Sequence, residues 1–165
     1  MNNVILIGMP GSGKSTVGVL LAKMAGLDFI DSDLLIQKAV GKRLFEIIEE
    51  KGNDEFLKIE NQINSEINAH NSVIATGGSA VYCKEAMEHL KTLGRVVYIK
   101  VPLAEIKRRI GDFSTRGIVI KNGNSIEDLF AERVPLYEKY ADITVECDKA
   151  DIKENAEKLL SALGL

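Results

Sequence analysis

The run Gly8-Met9-Pro10-Gly11-Ser12-Gly13-Lys14-Ser15-Thr16 carries the most specific chemistry in the chain. Its spacing is G-x-x-x-x-G-K-[ST], in which glycines let the backbone curl so that successive N–H groups point at phosphate oxygens. An apolar run at residues 4–7 precedes it, and a helical pattern over residues 17–25 follows. That strand–loop–helix context sets the positive end of a helix beside the loop. Gly11, Ser12, Gly13, Lys14, Ser15 and Thr16 are the expected phosphate-binding residues, with Lys14 reaching the outer phosphates and the Ser15 hydroxyl holding Mg²⁺. Such a pattern arises by accident in on the order of one chain in a hundred of this length, before the context is required. A glycine-rich turn that binds nothing is the weaker reading.

Four further segments could do chemistry beside that loop. In Asp31-Ser32-Asp33 two carboxylates share one face of an extended stretch. One suits Mg²⁺ held through water, and the other suits accepting a proton from an attacking hydroxyl; a helix N-cap is compatible with both. Thr76-Gly77-Gly78-Ser79 ends an apolar strand, with Thr76 where the common Walker B pattern has Asp. Its glycines fit either a tight turn or close backbone approach to a ligand. Arg133 opens Arg133-Val134-Pro135-Leu136-Tyr137, and taken alone it reads as a surface arginine paired with Glu132 or Asp128. Residues 111–117, continuing to Gly123-Asn124, are glycine-rich and polar and carry one arginine, Arg116. A lid closing over bound nucleotide is favoured there over a plain surface loop.

The elements that must position these residues alternate. Strand patterns lie at residues 4–7, 29–30, 73–76, 96–101 and 143–146, and amphipathic helical patterns at 15–25, 34–39, 44–50, 55–68, 84–93, 103–110, 126–140 and 152–163. Near-continuous apolar strands separated by helices predict an α/β fold, a five-stranded parallel sheet covered on both faces in three α/β/α layers. Right-handed crossovers then bring every strand's carboxyl end, and the phosphate loop, to one edge.

With 165 residues the chain suits one domain spanning 1–165, its lid at about 111–124. A net charge of −3 argues against nucleic acid as the main partner. No apolar run reaches membrane-spanning length and no signal-peptide pattern opens the chain, so a cytoplasmic location without membrane attachment is expected. Cys83 and Cys147 lack metal-ligand spacing and read as reduced, partly buried thiols. His70 and His89 read as surface or structural residues.

In order along nearly the whole chain, these pieces resemble the shikimate kinase family, small kinases of the nucleoside-monophosphate-kinase-like P-loop fold. Asp31-Ser32-Asp33 is similar to the family's Asp-x-Asp, and Phe56-Leu57-Lys58-Ile59-Glu60 stands in the place of its Phe-Arg-x-x-Glu. Thr76-Gly77-Gly78-Ser79 stands where a Gly-Gly-Gly follows the third strand, Arg116 where the lid has Arg-Pro-Leu-Leu, and residues 133–137 match Arg-x-Pro-Leu-Tyr. The resemblance implies phosphorylation of the shikimate 3-hydroxyl by ATP with Mg²⁺, in a monomer acting on a small molecule. It assigns Asp33 to the substrate hydroxyls, Ser15 and Asp31 to the Mg²⁺ shell, and Lys14 and Arg116 to charge on the transferring phosphoryl group. Arg109 would lie along the adenine, with Lys149 near it. Gly77 and Gly78 would touch substrate, and Arg133 would clamp its carboxylate.

Departures cluster on the acceptor side. Leu57 replaces the substrate-binding arginine, and Lys58 next to it points roughly 100° away on a helix. Ser79 replaces the third glycine, and Gly117-Ile118-Val119 replaces Pro-Leu-Leu, which is expected to loosen the lid. Two other readings therefore stand beside the first: a kinase for a different hydroxylated acid or polyol, and a nucleotide-binding protein without catalysis.

Overall fold

The expected alternation forms five parallel strands in the order β2-β3-β1-β4-β5, in a computed structural model that describes residues 3–111, 117–121, 123–148 and 151–165. The strands are β1 (Asn3–Ile7), β2 (Asp28–Asp31), β3 (Ser72–Ala75), β4 (Gly94–Lys100) and β5 (Ile143–Glu146). Central β1 and β3 are buried along their whole length, whereas edge strands β2 and β5 are mostly half-buried or exposed. Their register is pinned at one end by Asn3. Its side-chain amide donates to the Ala69 and Leu93 carbonyls, and its side-chain oxygen accepts from the Ser72 N–H. One buried side chain thereby ties β1 to the segments entering β3 and β4.

Helices α1 (Lys14–Ala25), α2 (Ser32–Val40), α3 (Leu44–Ser65), α4 (Lys84–Leu93), α5 (Leu103–Ile110), α6 (Ile126–Tyr140) and α7 (Ile152–Leu163) cover the sheet. From β1 the chain crosses β3 to reach β2; every later crossover runs the opposite way. Right-handed connections therefore set α1 on one face and α2 to α6 on the other, with α7 packed against α1. At its carboxyl end β1 sends its helix to one face while its neighbours β3 and β4 send theirs to the other, which opens a crevice there.

Two expected helices, at 44–50 and 55–68, are one element interrupted at Gly52, whose φ of 81° and ψ of 169° take the chain out of helical geometry. A left-handed φ of this kind is readily reached without a Cβ. A short 3₁₀ turn at Ala80–Tyr82 was not anticipated. The main core lies around the sheet. A second, smaller cluster joins Ile36 of α2, Ile47 and Phe56 of α3, and Val119.

That second cluster corrects the expected loosening at residues 117–119. Gly117, with φ +58°, is pressed against the start of α3; a Cβ there would lie 2.6 Å from the Leu44 Cβ and 2.8 Å from the Phe45 nitrogen. Val119 is buried, its carbonyl accepts from Arg133, and the Ile120 carbonyl accepts from the Asn53 side chain at 2.9 Å. Glycine fits here because the chain passes too close to α3 for a side chain, and the segment is held on three sides. The part of the expected lid at 112–116 and 122 lies outside the described residues.

Cys83 and Cys147 are buried free thiols. His89 Nε2 lies 2.7 Å from the Ile67 carbonyl and His70 is exposed, matching their structural reading. Among the described residues no helix is long and apolar enough to cross a membrane.

Candidate active site

The phosphate loop leaves β1 and enters α1 at Gly13, which takes the left-handed region with φ 88°. Lys14 is buried and turns back across the loop. Its ammonium donates to the Gly8 and Met9 carbonyls at 2.8 Å each and to Ser12 Oγ at 3.3 Å. Burial draws its proton affinity down to about 8, against the pull of the Asp33, Asp31 and Glu60 carboxylates.

Asp31 does two jobs at once. Its Oδ1 accepts from the Asp33 and Leu34 N–H groups and caps α2, while Oδ2 accepts from Ser15 Oγ at 2.7 Å. The cap and the metal reading are therefore compatible. A carboxylate beside a hydroxyl at the mouth of the phosphate loop is a hard-oxygen donor pair, which fits Mg²⁺ that keeps several waters.

Arg109 reaches the same loop from α5. It donates to the Gly11 and Ser12 carbonyls at 3.4 and 3.5 Å, to the Asp148 carbonyl at 3.1 Å and to Glu105 at 2.8 Å. Hydrogen bonds from Arg108 and Arg109 hold the Glu105 carboxyl down at about 2. Arg109 thus spans the loop and the segment after β5, beside the outer wall of the cleft. Arg116 and Lys149 lie outside the described residues.

Opposite the loop opens a cleft of about 380 Å³, lined by Lys14, Ser15 and Thr16 on one side and by Asp33, Gly77, Gly78, Ser79 and Arg133 on the other. Asp33 sits in the first turn of α2, half-buried. Burial and the neighbouring Asp31 charge push its carboxyl up to about 6, with Lys14 opposing them. Gly77 and Gly78 follow β3 where no side chain fits. A Cβ on Gly77 would stand 2.7 Å from both Asp33 Oδ1 and Glu60 Oε1, and one on Gly78 would stand 2.7 Å from the Pro10 ring and 3.0 Å from Arg133 Nη1. The backbone here makes close approaches to side chains of the cleft. Thr76, in the Walker B position, spends its hydroxyl on the Leu6 carbonyl at 2.9 Å.

Arg133 departs most from its isolated reading. It is 1% exposed. Its Nη2 donates to the Val119 carbonyl at 2.5 Å and Nε to the Tyr82 hydroxyl at 3.3 Å, with the guanidinium 5.2 Å over the Tyr82 ring. Neither expected partner takes it: Glu132 accepts from the Tyr82 hydroxyl at 2.6 Å, and Asp128 caps α6 with Ser125. Among the described residues no carboxylate lies within 4.0 Å of this buried cation. A buried guanidinium is stable only with a partner of opposite charge or a full set of acceptors, so the cleft is poised for an anion.

Sequence reasoning named Glu60 and Tyr137 only as members of motifs, without a role, and passed over Tyr82. Glu60 is fully buried, accepts from Ser79 Oγ at 2.6 Å and is pushed up to about 7 by burial. The Tyr137 hydroxyl donates to the Gly78 carbonyl at 2.7 Å, and its ring stacks on Tyr98. A signal for Glu60 existed: Phe56, Glu60 and Asn64 recur every four residues on the buried face of α3, an odd place for a carboxylate. Leu57 does not wall the cleft. It lines an adjacent cavity of about 270 Å³ with Tyr82, Val119, Lys121 and Leu129, while Lys58 is exposed and pairs with Glu55.

The family model described as shikimate kinase matches residues 10–164. A shikimate kinase of Francisella tularensis subsp. holarctica is 38% identical over 165 residues, covering 98% of this chain and 94% of that protein. The structure of shikimate kinase from Acinetobacter baumannii in complex with shikimate aligns with a TM-score of 0.90 at 32% identity, over 98% of this chain and 92% of that one. The enzyme from Aquifex aeolicus aligns with a TM-score of 0.83 at 34% identity, over 98% and 96% of the two chains.

Proposed function

The chain belongs to the shikimate kinase family, and on that premise we propose that it transfers the terminal phosphoryl group of ATP to the 3-hydroxyl of shikimate. The observation that carries this reading is the meeting of Lys14, Asp33 and Arg133 in one cleft of about 380 Å³. A phosphate site, a carboxylate with raised proton affinity and a buried guanidinium suit a donor phosphate, a reacting hydroxyl and a substrate carboxylate in turn.

In the transfer, a bond forms between the acceptor oxygen and the phosphorus, and the bond from that phosphorus to the bridging oxygen of ADP breaks. The hydroxyl proton passes to Asp33, which is mostly ionised at neutral pH and so free to accept it. Backbone N–H groups of residues 11–16 hold the phosphates. Lys14 leaves its carbonyl partners for the charge that develops on the transferring group, and Arg116 assists it from the lid. Ser15 and Asp31 would hold Mg²⁺, which neutralises phosphate charge when bound. Arg109 flanks the adenine. Arg133 grips the substrate carboxylate, with its planar fork suited to a two-pronged contact, and the Gly77 and Gly78 backbone lies against the ring. The whole reaction runs in one domain of residues 1–165 with its lid at about 111–124, in a cytoplasmic monomer that needs neither membrane nor nucleic acid.

An assay coupling ADP release to shikimate addition tests this directly. Shikimate-dependent turnover is expected with ATP and Mg²⁺. Folded, ATP-binding protein that gives none at millimolar shikimate would overturn the reading. Quinate and gluconate, run in parallel, would expose a different acceptor by outpacing shikimate.

A further inference from the structure

The transfer as described leaves one buried pair beside the cleft unused, Ser79 and Glu60. Both are shielded from solvent, at 6% and 0% exposure. Ser79 Oγ donates to Glu60 Oε2 at 2.6 Å, whereas Oε1 is shielded from solvent and has no hydrogen-bond partner among the described residues. That unpartnered oxygen faces the Gly77 α-carbon: the place a Gly77 Cβ would occupy is 2.7 Å from Glu60 Oε1 and equally 2.7 Å from Asp33 Oδ1. Two carboxyl oxygens, one from α3 and one from α2, therefore crowd the same point on the acceptor turn.

We propose that Ser79 is a positioning residue of this enzyme, acting through Glu60 on the Gly77 backbone and Asp33; the inference rests on the phosphotransfer reading above. A carboxyl group held by one oxygen cannot swing its other oxygen freely. With Oε2 tied to Ser79, Oε1 stays behind Gly77. Freed, the group would turn toward Lys14 and Arg133, whose charges reach it, and the Gly77 backbone and Asp33, which crowd its other oxygen, would shift with it. The turn is fastened at consecutive residues. Ser79 ties it to α3, and the Gly78 carbonyl accepts from Tyr137 of α6. The Gly77 and Gly78 backbone that faces the acceptor leads directly into those two anchors. Glu60 also carries no close cation among the described residues, since Lys58 pairs with Glu55 and Leu57 faces the neighbouring cavity. Among the described residues the Ser79 hydroxyl is thus the one hydrogen-bond donor to this carboxyl.

The test is a double-mutant cycle of Ser79→Ala and Glu60→Gln, with Ser79→Thr as the conservative variant, each assayed for both substrates and for Tm. Losing a hydrogen bond to a carboxyl should raise the acceptor KM by about tenfold in Ser79→Ala and leave the KM for ATP within about twofold. Ser79→Thr should recover most of that loss. Because Ser79 acts through Glu60, the double variant should be no worse than Glu60→Gln alone by more than about twofold. The proposal fails if the acceptor KM does not move in Ser79→Ala, if both KM values rise together with a fall in Tm, or if the two substitutions multiply in the double variant. Absence of turnover in the parent protein would instead fell the reaction itself; parent turnover with an unmoved Ser79→Ala fells this proposal alone.

Discussion

The two sides of the cleft are built in different ways. On the proposed reading, the phosphate cradle of the donor side comes from one continuous segment, residues 8–16, with Asp31 and Arg109 added from outside it, and works largely through backbone N–H groups whose direction follows from glycine conformations and a helix start. The acceptor side is drawn from four segments: Asp33 of α2, Glu60 of α3, the turn after β3, and Arg133 of α6. Apart from the Gly77 and Gly78 backbone, its groups are side chains that are buried or half-buried, and each depends on a neighbour from another element. Local backbone geometry can be written in a short motif. A constellation of buried side chains cannot, because each member is placed by the packing of the elements that carry the others. Substitutions on the two sides should therefore fail differently, with acceptor-side changes raising the acceptor KM and sparing nucleotide binding.

The sharpest break of this contrast is Asp33→Asn. Removing a positioned proton acceptor should lower kcat by about 10²- to 10⁴-fold, while nucleotide affinity, measured by calorimetry, stays near that of the parent. A comparable loss of ATP binding would mean that the two sides are not separable at α2. Next in size is Arg133→Lys, which keeps the charge and loses the fork. A charge-assisted hydrogen bond is worth about 1.5–3 kcal/mol, so the acceptor KM should rise about ten- to a hundredfold. Steady-state kinetics in both substrates checks it, and a rise confined to ATP would contradict the assignment.

Glu60 connects the acceptor side to stability. Its carboxyl is raised from 4.5 to about 7 by burial, so the folded protein keeps a proton that the unfolded chain has already released over that interval. Stability should then fall as pH rises from about 5 to 7, by on the order of 5 °C in Tm. Glu60→Gln should reduce that slope and leave the share that the raised Asp33 carboxyl contributes up to about pH 6, and thermal melts of both proteins across the range would reveal a slope that ignores the substitution. Gly117→Ala comes next. A left-handed φ and contact with Leu44 and Phe45 make a Cβ strained there, and a loss of about 1 kcal/mol or more, some 2–4 °C in Tm, is expected. An unchanged melt would mean that the segment is not held against α3. The smallest effect is assigned to Leu57→Arg. Because Leu57 lines the adjacent cavity, the acceptor KM should change by less than about threefold, less than one charge-assisted hydrogen bond. A tenfold fall would show that this cavity opens onto the cleft.

Several readings of the sequence transferred to the structure because they rested on local rules. Asp31 and Ser15 sit in the strand-end and helix-start positions that their spacing implies, and they meet at 2.7 Å. Lys58 points away from the cleft, as helical geometry requires of the neighbour of an inward residue. Other readings failed where a partner distant in sequence decides. Glu132 and Asp128 are the natural partners of Arg133 by spacing, yet each is claimed by another residue, Tyr82 and Ser125, and the guanidinium turns inward. Glycine at 117 reads as freedom when only the chain is considered. It becomes constraint once α3 is packed against it, since the missing Cβ is what permits the contact.

The amino-acid sequence by itself determined the alternation of strands and helices, the five-stranded parallel sheet, the phosphate loop and the order of motifs that places the chain in its family. The alternation, the sheet and the phosphate loop follow from periodicity, glycine conformation and residue spacing over short stretches; the family placement rests on the resemblance of the ordered motifs and on the comparisons with known proteins. Only the tertiary structure decided that Arg133 is a buried cation without a carboxylate beside it among the described residues, that Leu57 lines a second cavity, and that Ser79 and Glu60 meet behind the turn after β3. Those outcomes depend on which helix lies across which strand, and burial then sets the charge state and orientation of every group that the packing encloses.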